Sequence, residues 1–267
     1  MSSQPTSKKF LRQFPRTATD VELLHRDREL EGRPAEAILD WAAARFAPGI
    51  TFAIGFGVEG CVLIDLIARR NLPIDIFTLD TGLLFPQTYA LWEQLERRYR
   101  ITIRPVRPGL SVEAQAEQVG AQLWENDPDR CCEIRKVLPL RSALTGFNAW
   151  VSAIRRDQTP DRRGVRVLER DQRFGLVKVN PLASWTSADV WSYVRNCDVP
   201  YNPLHEQGYP SIGCIPCTTP VLPGEDPRAG RWRGRAKKEC GLHARADRPI
   251  ASAFLNDSSP TVEEGPP

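Results

Sequence analysis

The sequence predicts an α/β protein with a doubly wound, mostly parallel sheet, followed by an irregular C-terminal extension. Short apolar runs alternate with helical patterns from residue 34 to about residue 154, which is typical of parallel strands joined by crossover helices. From residue 200 onward, proline, glycine and charged residues replace this periodicity. A chain of 267 residues is long enough to bury a sizeable core without disulfides.

The elements are predicted in order along the chain. A first helix begins at Pro34, because proline suits the first helical turn and apolar residues recur on one stripe after it. Residues 165–169 and 175–179 are expected to form a hairpin, and Thr186 to cap the helix that follows. Strands are predicted at Ile50–Ile54, Ile74–Leu79, Ile101–Val106 and Ala149–Ile154, with helices between them up to Ile67, over 86–99, over 111–123 and from near Cys131.

Four segments follow from this pattern. Residues 1–30 are polar without sustained periodicity and are predicted to form a loosely held arm. Residues 31–195 form the α/β domain, residues 196–248 an extension rich in basic residues and cysteines, and residues 249–267 a disordered tail.

Composition excludes several classes of protein. The chain has 36 Lys+Arg and 33 Asp+Glu, and the resulting charge of +3 is too weak to indicate nucleic-acid binding. No apolar run approaches the roughly 18 residues that a membrane span needs. No secretory signal is visible, so a cytoplasmic protein with reduced cysteines is expected. The oligomeric state stays open, a homo-oligomer included.

Two turns at predicted strand ends are candidates for nucleotide binding. The glycine-rich turn GFGVEG, residues 55–60, lies between a strand and a helix, where backbone N–H groups bind phosphates. It is neither a G-x-G-x-x-G nor a Walker motif, so a tight turn without a ligand is an equal alternative. Asp80, Thr81 and Gly82 follow the next strand. The alternative for Asp80 is that it only caps this turn.

Seven cysteines divide into groups by context. Cys61 and Cys197 lie in apolar or helical patterns and are predicted to be small buried side chains. Cys131 and Cys132, with the C-x-x-C pair Cys214 and Cys217, supply four thiolates from two places in the chain. Four thiolates suit either zinc or an iron–sulfur cluster, and spacing alone leaves both open. An unliganded set of thiols is the weaker alternative.

The remaining cysteine, Cys240, lies in a basic segment. Lys237, Lys238 and His243 are close in sequence and would favour its thiolate, and Gly241 leaves room for a reactant. Cys240 is therefore a candidate nucleophile toward a bound anion. The alternative is an exposed spectator thiol.

Arginines provide candidate anion ligands. Arg155 and Arg156 follow directly after a predicted strand, at the edge of the sheet where nucleotides bind. Guanidinium groups bind phosphate or sulfate through paired hydrogen bonds, whereas a solvated basic surface is the alternative. The candidates are Arg155, Arg156, Arg163, Arg228 and Arg231.

Together, these motifs resemble the assimilatory sulfonucleotide reductases, specifically the iron–sulfur adenosine 5′-phosphosulfate (APS) reductases. The resemblance runs from about Ile38 to His243. The pattern CC…CxxC with ECGLH is its most specific part, because relatives that use 3′-phospho-APS without a cluster lack the four cysteines. The motifs are LDTG at 79–82, CCEIRK at 131–136, RRDQTP at 155–160, VPYNPLH at 199–205, IGCIPCT at 212–218 and ECGLH at 239–243.

The resemblance implies the fold, the cofactor and the reaction. It implies a sheet of the adenine-nucleotide alpha-hydrolase-like type and a [4Fe-4S] cluster on Cys131, Cys132, Cys214 and Cys217, with Lys136 near it. It implies reduction of APS to sulfite and AMP through S-sulfonated Cys240, with thioredoxin or a glutaredoxin-like protein as reductant. The implied substrate-binding residues are Gly57, Glu59, Asp80, Thr81, Gly82, Arg155, Arg156, Arg163, Arg228, Arg231 and His243.

One departure from the family pattern lies in the glycine-rich turn. Family members commonly carry S-x-S-G-A-E, whereas this chain has IGFGVE at 54–59, so backbone N–H groups must replace the serine hydroxyls. Three other functions are alternatives. They are a reductase of 3′-phospho-APS, an ATP-pyrophosphatase-type enzyme, which would need an S-G-G-x-D-S-like loop, and a zinc-stabilised nucleotide-binding module.

Overall fold

A six-stranded sheet forms the centre of the protein. The computed structural model describes residues 19–237 and 239–242. The strand order is β3-β2-β1-β4-β6-β5, and only the pair β5–β6 is antiparallel, so the predicted mostly parallel sheet is confirmed. The strands are β1 Ile50–Ile54, β2 Asp75–Leu79, β3 Arg104–Val106, β4 Ala149–Val151, β5 Leu168–Asp171 and β6 Leu176–Val179.

Helices connect the strands. Between α7 and α8 the chain forms a π-helix over Glu133–Val137, a conformation that frequently occurs at functional sites. Short 3₁₀ turns follow at Arg156–Gln158, Pro160–Arg162, Pro203–Gln207 and Ile215–Cys217. The helices are α1 Asp20–Leu30, α2 Ala35–Phe46, α3 Val58–Arg69, α4 Pro86–Tyr99, α5 Val112–Val119, α6 Leu123–Asn126, α7 Pro128–Cys132, α8 Leu138–Ala143 and α9 Ser187–Cys197.

The centre of the sheet determines where a ligand can bind. β1 lies between β2 and β4, and the strand order reverses there. In open parallel sheets such a reversal leaves a crevice beyond the carboxyl ends of the strands. β1 has almost no exposed surface, because its apolar residues pack under helices on both faces. The crevice therefore opens beyond Ile54 and Val151.

The predicted N-terminal arm is wrong in its last part. Thr19 caps α1 through a capping box with Glu22, and Leu23 and Leu30 are buried. Asp27 accepts a hydrogen bond from the backbone N–H of Leu168 at 3.0 Å, which fixes α1 to β5. Too few apolar residues face the core to produce a clear helical period. Residues 1–18 and the tail at 249–267 lie outside the described residues, and the segment boundaries stay a prediction.

Several local predictions can be compared with the structure. The hairpin is confirmed as β5 and β6, and Thr186 caps α9 through a capping box. β3 begins at Arg104 rather than Ile101, because the N–H of Ile101 still bonds back to the Glu96 carbonyl at the end of α4. β4 ends at Val151 rather than Ile154. Within the described part of the chain, no helix is long and apolar enough to cross a membrane.

Candidate functional site

A cavity of about 610 Å³ lies beyond β1 and β4, at the reversal of strand order. Its wall combines the glycine-rich turn, the segment after β4 and the C-terminal extension. Five of the predicted substrate-binding residues line it, which brings together positions far apart in sequence. They are Gly57, Glu59, Arg155, Arg228 and Arg231.

The glycine-rich turn begins α3 without a capping side chain. Gly57 is the N-cap residue and has no side chain to bond the first N–H groups of the helix. At Gly60 a Cβ would lie 3.1 Å from the Ile54 side chain, so glycine permits close packing of helix and strand. An uncapped helix N-terminus favours anions through its dipole and free N–H groups. The turn therefore has the chemistry of a phosphate site without hydroxyl groups.

Glu59 and Arg155 form an ion pair in the cavity wall. Arg155 Nε donates to Glu59 Oε1 at 3.0 Å, and Gln158 Nε2 donates to the same oxygen at 3.0 Å. The side chains of Arg155 and Glu59 are only 8% and 15% exposed. This pair orders the segment after β4 against the first turn of α3.

Cys240 lies in a second, smaller cavity of about 180 Å³, together with Thr81, Lys136 and Cys214. Four residues line both cavities, so the two adjoin each other. The thiol is thus placed next to the larger cleft, as a nucleophile toward its ligand requires. The shared residues are Ala53, Gly55, Ile212 and Arg231.

Cations from other parts of the chain act on Cys240. Burial raises the pKa of this thiol, but Lys136, the N–H of Leu242 and Arg231 lower it more, so that it lies below the ordinary value. Lys237 pairs with Asp129 and lies 5.2 Å from the Trp232 ring centre, and its effect on Cys240 stays a prediction. Lys238 and His243 lie outside the described residues.

Lys136 is surrounded by thiols. Burial lowers the pKa of its ammonium group, but negative charge on the nearby Cys214, Cys132 and Cys240 raises this pKa by a larger amount. The pKa therefore lies above the ordinary value, and the charged form is favoured. The π-helix carries Lys136 to this position, 104 residues before Cys240 in sequence. A cation here stabilises negative charge on a thiolate or on a bound anion.

The four predicted ligand cysteines come from two segments. Cys131, Cys132 and Cys214 are buried, and Cys217 is partly exposed. Burial raises the pKa of Cys131, and the charges of Cys214 and Cys217 raise it further, so these thiols are near one another. The Thr81 hydroxyl lies 3.3 Å from the Cys214 sulfur. Within residues 19–237 and 239–242, no three His, Cys, Asp or Glu side chains are arranged to hold a metal ion.

Cys61 and Cys197 differ in burial. Cys61 is fully buried, as predicted, whereas Cys197 is only partly buried at the end of α9. Neither lines a cavity described above.

Asp80 has a local structural role. Its carboxylate accepts hydrogen bonds from the Tyr89 hydroxyl at 2.7 Å, from the Gly82 N–H at 3.2 Å and from Arg107 Nε at 2.9 Å. Burial would raise the pKa of Asp80, but these donors hold it below the ordinary value. Neither Asp80 nor Gly82 lines either cavity, whereas Thr81 between them lines the smaller one. Asp80 thus fixes the turn that presents Thr81.

Two predicted arginines do not reach the cavities. Arg156 forms a bidentate pair with Glu31, with both N–O distances 2.7 Å, and Arg163 is exposed. The 3₁₀ turns after β4 rotate successive side chains to different sides. As a result Arg162, which was not among the predicted anion ligands, lines the larger cavity.

Gln158, His205 and Glu239 were also missed as site residues, although each lies in a motif quoted above. Gln158 and His205 line the larger cavity, and His205 Nε2 is buried without a partner in the described residues. Burial lowers the pKa of His205, which favours its neutral form. Glu239 pairs with cavity arginines. The residue types alone did not indicate that these three side chains would contact the larger cavity or its arginines.

The fold and cavity define an α/β protein with an open, mostly parallel sheet and a cysteine-bearing extension beside its cleft. A crystal structure of FMN adenylyltransferase from Candida glabrata with ATP is 17% identical and has a TM-score of 0.52, covering 74% of this chain and 64% of its own. At this identity the likeness concerns the fold alone, and it agrees with the predicted adenine-nucleotide alpha-hydrolase-like architecture.

Residues 49–220 match the phosphoadenosine phosphosulfate reductase domain family, and the chain belongs to this family. It is 49% identical over 220 residues to an adenosine 5′-phosphosulfate reductase of Geobacillus sp. (strain WCH70), covering 81% of this chain and 92% of that protein. A phosphoadenylyl-sulfate reductase structure from Candida auris is 32% identical, with a TM-score of 0.69, covering 75% of this chain and 98% of its own. The sequence-based assignment to the sulfonucleotide reductases is confirmed.

Proposed function

We propose that the protein reduces APS to sulfite and AMP in sulfate assimilation, with Cys240 as the nucleophile. The observation that carries the proposal is the position of Cys240, in a cavity that adjoins the large cleft through Arg231. The match between this chain and the relatives named as APS reductases covers nearly the whole length of those relatives, which supports the same reaction here.

The cleft holds the nucleotide in this proposal. The phosphosulfate lies between the uncapped N-terminus of α3 and the guanidinium groups of Arg228 and Arg231, where backbone N–H groups and positive charges neutralise it. Glu59 and Arg155 keep the wall of the cleft ordered. Thr81 borders the small cavity in which the sulfur would meet Cys240.

In the first step, the Cys240 thiolate attacks the sulfur of APS. A bond forms between the two sulfur atoms, the bond from sulfur to the phosphate oxygen breaks, and AMP leaves with the electron pair. Lys136 and Arg231 favour the thiolate before the attack and offset the negative charge that gathers around sulfur during it. The product is S-sulfonated Cys240.

In the second step, an external dithiol releases sulfite. One thiolate of the donor attacks the Cys240 sulfur, and sulfite leaves with the electron pair of the sulfur–sulfur bond. The second donor thiol then frees Cys240, and the donor becomes a disulfide after giving up two electrons. Thioredoxin or a glutaredoxin-like protein has this chemistry. Such donors are typical of a reducing compartment, so we place the reaction in the cytoplasm.

We further propose that Cys131, Cys132, Cys214 and Cys217 hold a [4Fe-4S] cluster. The support is the chemistry of the donor set: four thiols from two segments, with charges that act on one another. A bound cluster would tie these segments together and add charge beside Lys136. Zinc is the alternative for the same ligands, and iron analysis with the visible absorption of purified protein distinguishes the two.

Reduction of 3′-phospho-APS is the second candidate, because the 32% identical structural relative is named as a phosphoadenylyl-sulfate reductase. Sulfite release should therefore be measured with both nucleotides and a dithiol donor. A preference for APS supports our proposal, whereas a preference for 3′-phospho-APS replaces it with this second candidate. The ATP-pyrophosphatase alternative would require pyrophosphate release from ATP.

The nucleophile is tested by substitution and mass spectrometry. Cys240→Ser should keep its metal and its nucleotide binding, yet release no sulfite. Wild-type protein given APS without a dithiol should gain the mass of SO₃ on the Cys240 peptide, and reduced thioredoxin should remove it. Cys197→Ser is the matched control, because Cys197 lies outside both cavities and should retain full activity. An adduct on another cysteine would refute the role of Cys240.

A further inference from the structure

The residue before the candidate nucleophile is held by two arginines of the large cavity. Arg162 binds the Glu239 carboxylate through two hydrogen bonds, Nε to Oε1 at 3.1 Å and Nη2 to Oε2 at 2.9 Å. Arg228 Nη2 donates to Oε2 at 3.2 Å. The side chains of Arg162, Glu239 and Arg228 are 12%, 14% and 18% exposed, so solvent screens these interactions only in part.

The same contacts continue to the glycine-rich turn. Arg162 Nη1 also donates to the side-chain oxygen of Gln158. Gln158 Nε2 in turn donates to Glu59 in the first turn of α3, at 3.0 Å. An unbroken series of side-chain hydrogen bonds therefore joins the start of α3 to the residue that precedes Cys240.

A second anchor lies on the other side of Cys240. Arg173, in the turn between β5 and β6, donates to the Gly241 carbonyl. Leu242 packs against a buried apolar cluster that includes Leu140 and Trp150. The segment 239–242 is thus held at both ends, with the thiol between the two anchors.

We propose that Glu239 is a positioning residue, which docks the Cys240 segment over the cleft by bridging Arg162 and Arg228. The proposal rests on the function proposed above, since it assigns a task to Glu239 in presenting Cys240 to the substrate. Glu239 lines neither cavity. Its charge raises the pKa of the Cys240 thiol, whereas its docking role acts through the backbone that it shares with Cys240.

The hydrogen bonds that Arg162 already makes within the protein indicate that it docks the Cys240 segment rather than binding the substrate. All three of its guanidinium nitrogens already donate, two to Glu239 and one to Gln158. Three of its five N–H donors are thus used within the protein, and a substrate anion would have to displace the carboxylate to take the pair that faces Glu239. A bidentate arginine–carboxylate pair fixes both distance and orientation, and a displaced anchor of this kind misplaces a reacting group at a large cost in rate.

The test compares Glu239→Gln with Glu225→Gln in the metal-loaded, full-length protein. Glu225 also forms a bidentate arginine pair in the extension, with Arg233 at 2.9 and 2.8 Å, but neither residue lines the cavity that contains Cys240. Alkylation of Cys240 by iodoacetamide is measured without APS as a function of pH. The plateau rate at high pH reports access to the thiolate, independent of any change in its pKa.

We expect the plateau rate of Glu239→Gln to exceed that of the wild type by about tenfold, the effect of losing one charge-assisted hydrogen bond. Glu225→Gln should match the wild type. With APS, the rate of Cys240 sulfonation in Glu239→Gln should fall by about tenfold while the KM for APS changes little. Arg162→Gln should give the same effects, and the double variant should be no worse than either single variant.

Two results would overturn the proposal. An unchanged plateau and an unchanged sulfonation rate in Glu239→Gln would show that the pair does not dock Cys240. A lower KM with an unchanged rate would show that Glu239 only competes with the substrate anion for the arginines. If instead wild-type protein forms no adduct from APS, the proposed function fails, whereas the alkylation comparison still decides whether Glu239 docks the segment.

Discussion

Arg231 lies where the two cavities meet, and its replacement by glutamine tests the site at its centre. Its Nη1 donates to the Ile212 carbonyl at 3.2 Å and to the Ser211 hydroxyl at 3.3 Å, and its guanidinium lies 4.7 Å from the Trp232 ring centre. A Cβ at Gly213 would lie 2.2 Å from Arg231 Nη2. Glycine in the IGCIPCT motif therefore makes room for this guanidinium.

The Arg231→Gln substitution should impair the reaction in two ways. Arg231 Nε has no hydrogen-bond partner among the described residues, so the group keeps donor capacity that the protein does not use. Loss of one charge-assisted bond to the phosphosulfate costs about 1.5–3 kcal/mol, which is about 10- to 150-fold in kcat/KM. The variant also removes a cation that lowers the pKa of Cys240.

The second effect has a definite dependence on pH. Because the cation stabilises the thiolate, its removal raises the pKa of Cys240 and reduces the thiolate fraction at pH values below the new pKa. Above that pKa both proteins are fully ionised, and this part of the defect disappears. The loss of anion binding remains at every pH. The defect should therefore be largest at low pH and shrink to a constant value as the pH rises.

The assay is kcat/KM for APS as a function of pH, alongside alkylation of Cys240 in the absence of substrate. Arg233→Gln is the matched control, since Arg233 lies two residues away, is exposed and pairs with Glu225. It should behave as the wild type in both assays. If Arg231→Gln had unchanged kcat/KM and an unchanged alkylation profile, Arg231 would act neither on the substrate nor on Cys240.

Two further predictions concern the metal site and the core. Cys217→Ser should lose iron and activity together, because a hard oxygen ligand binds an iron–sulfur cluster poorly. The measurement is the iron content per protein, which the control Cys197→Ser should keep. Full iron content in Cys217→Ser would remove Cys217 from the ligand set. Asp65→Ala should lower the free energy of unfolding in urea by about 3 kcal/mol or more, because Asp65 is fully buried and accepts hydrogen bonds from the Tyr99 and Tyr193 hydroxyls at 2.8 Å. A loss below about 1 kcal/mol would show that these hydroxyls find other partners.

The sequence predicted best those elements whose signals are local. The bounds of β1 at Ile50–Ile54 and of α4 at Pro86–Tyr99 agree with the prediction, because an apolar run and an amphipathic stripe with an initial proline are contained within each segment. α1 was missed because contacts with β5, such as Asp27 to the Leu168 N–H, help to hold it. Such contacts join residues far apart in sequence and leave no periodic pattern.

Within the site, the sequence predicted which types of residue would be present, but not which way their side chains would point. The RRDQTPDRR run at 155–163 contains four arginines, and spacing could not show that Arg162 faces the cleft while Arg156 pairs with Glu31. The effect of Lys136 on Cys240 was missed for a similar reason. Lys237 is close in sequence, whereas Lys136 is brought close only by the fold.

The origin of these cations has a consequence for the reactivity of Cys240. Lys136 belongs to the π-helix of the sheet domain, while Cys240 belongs to the extension. Because electrostatic stabilisation falls off with distance and with exposure to water, Lys136 can lower the pKa of the thiol only while the segment 239–242 is docked. Contacts that hold this segment, including those of Glu239 and Gly241, therefore control both where the thiol lies and how strongly it is ionised. An undocked Cys240 would be more accessible to a large partner protein but less activated as a nucleophile.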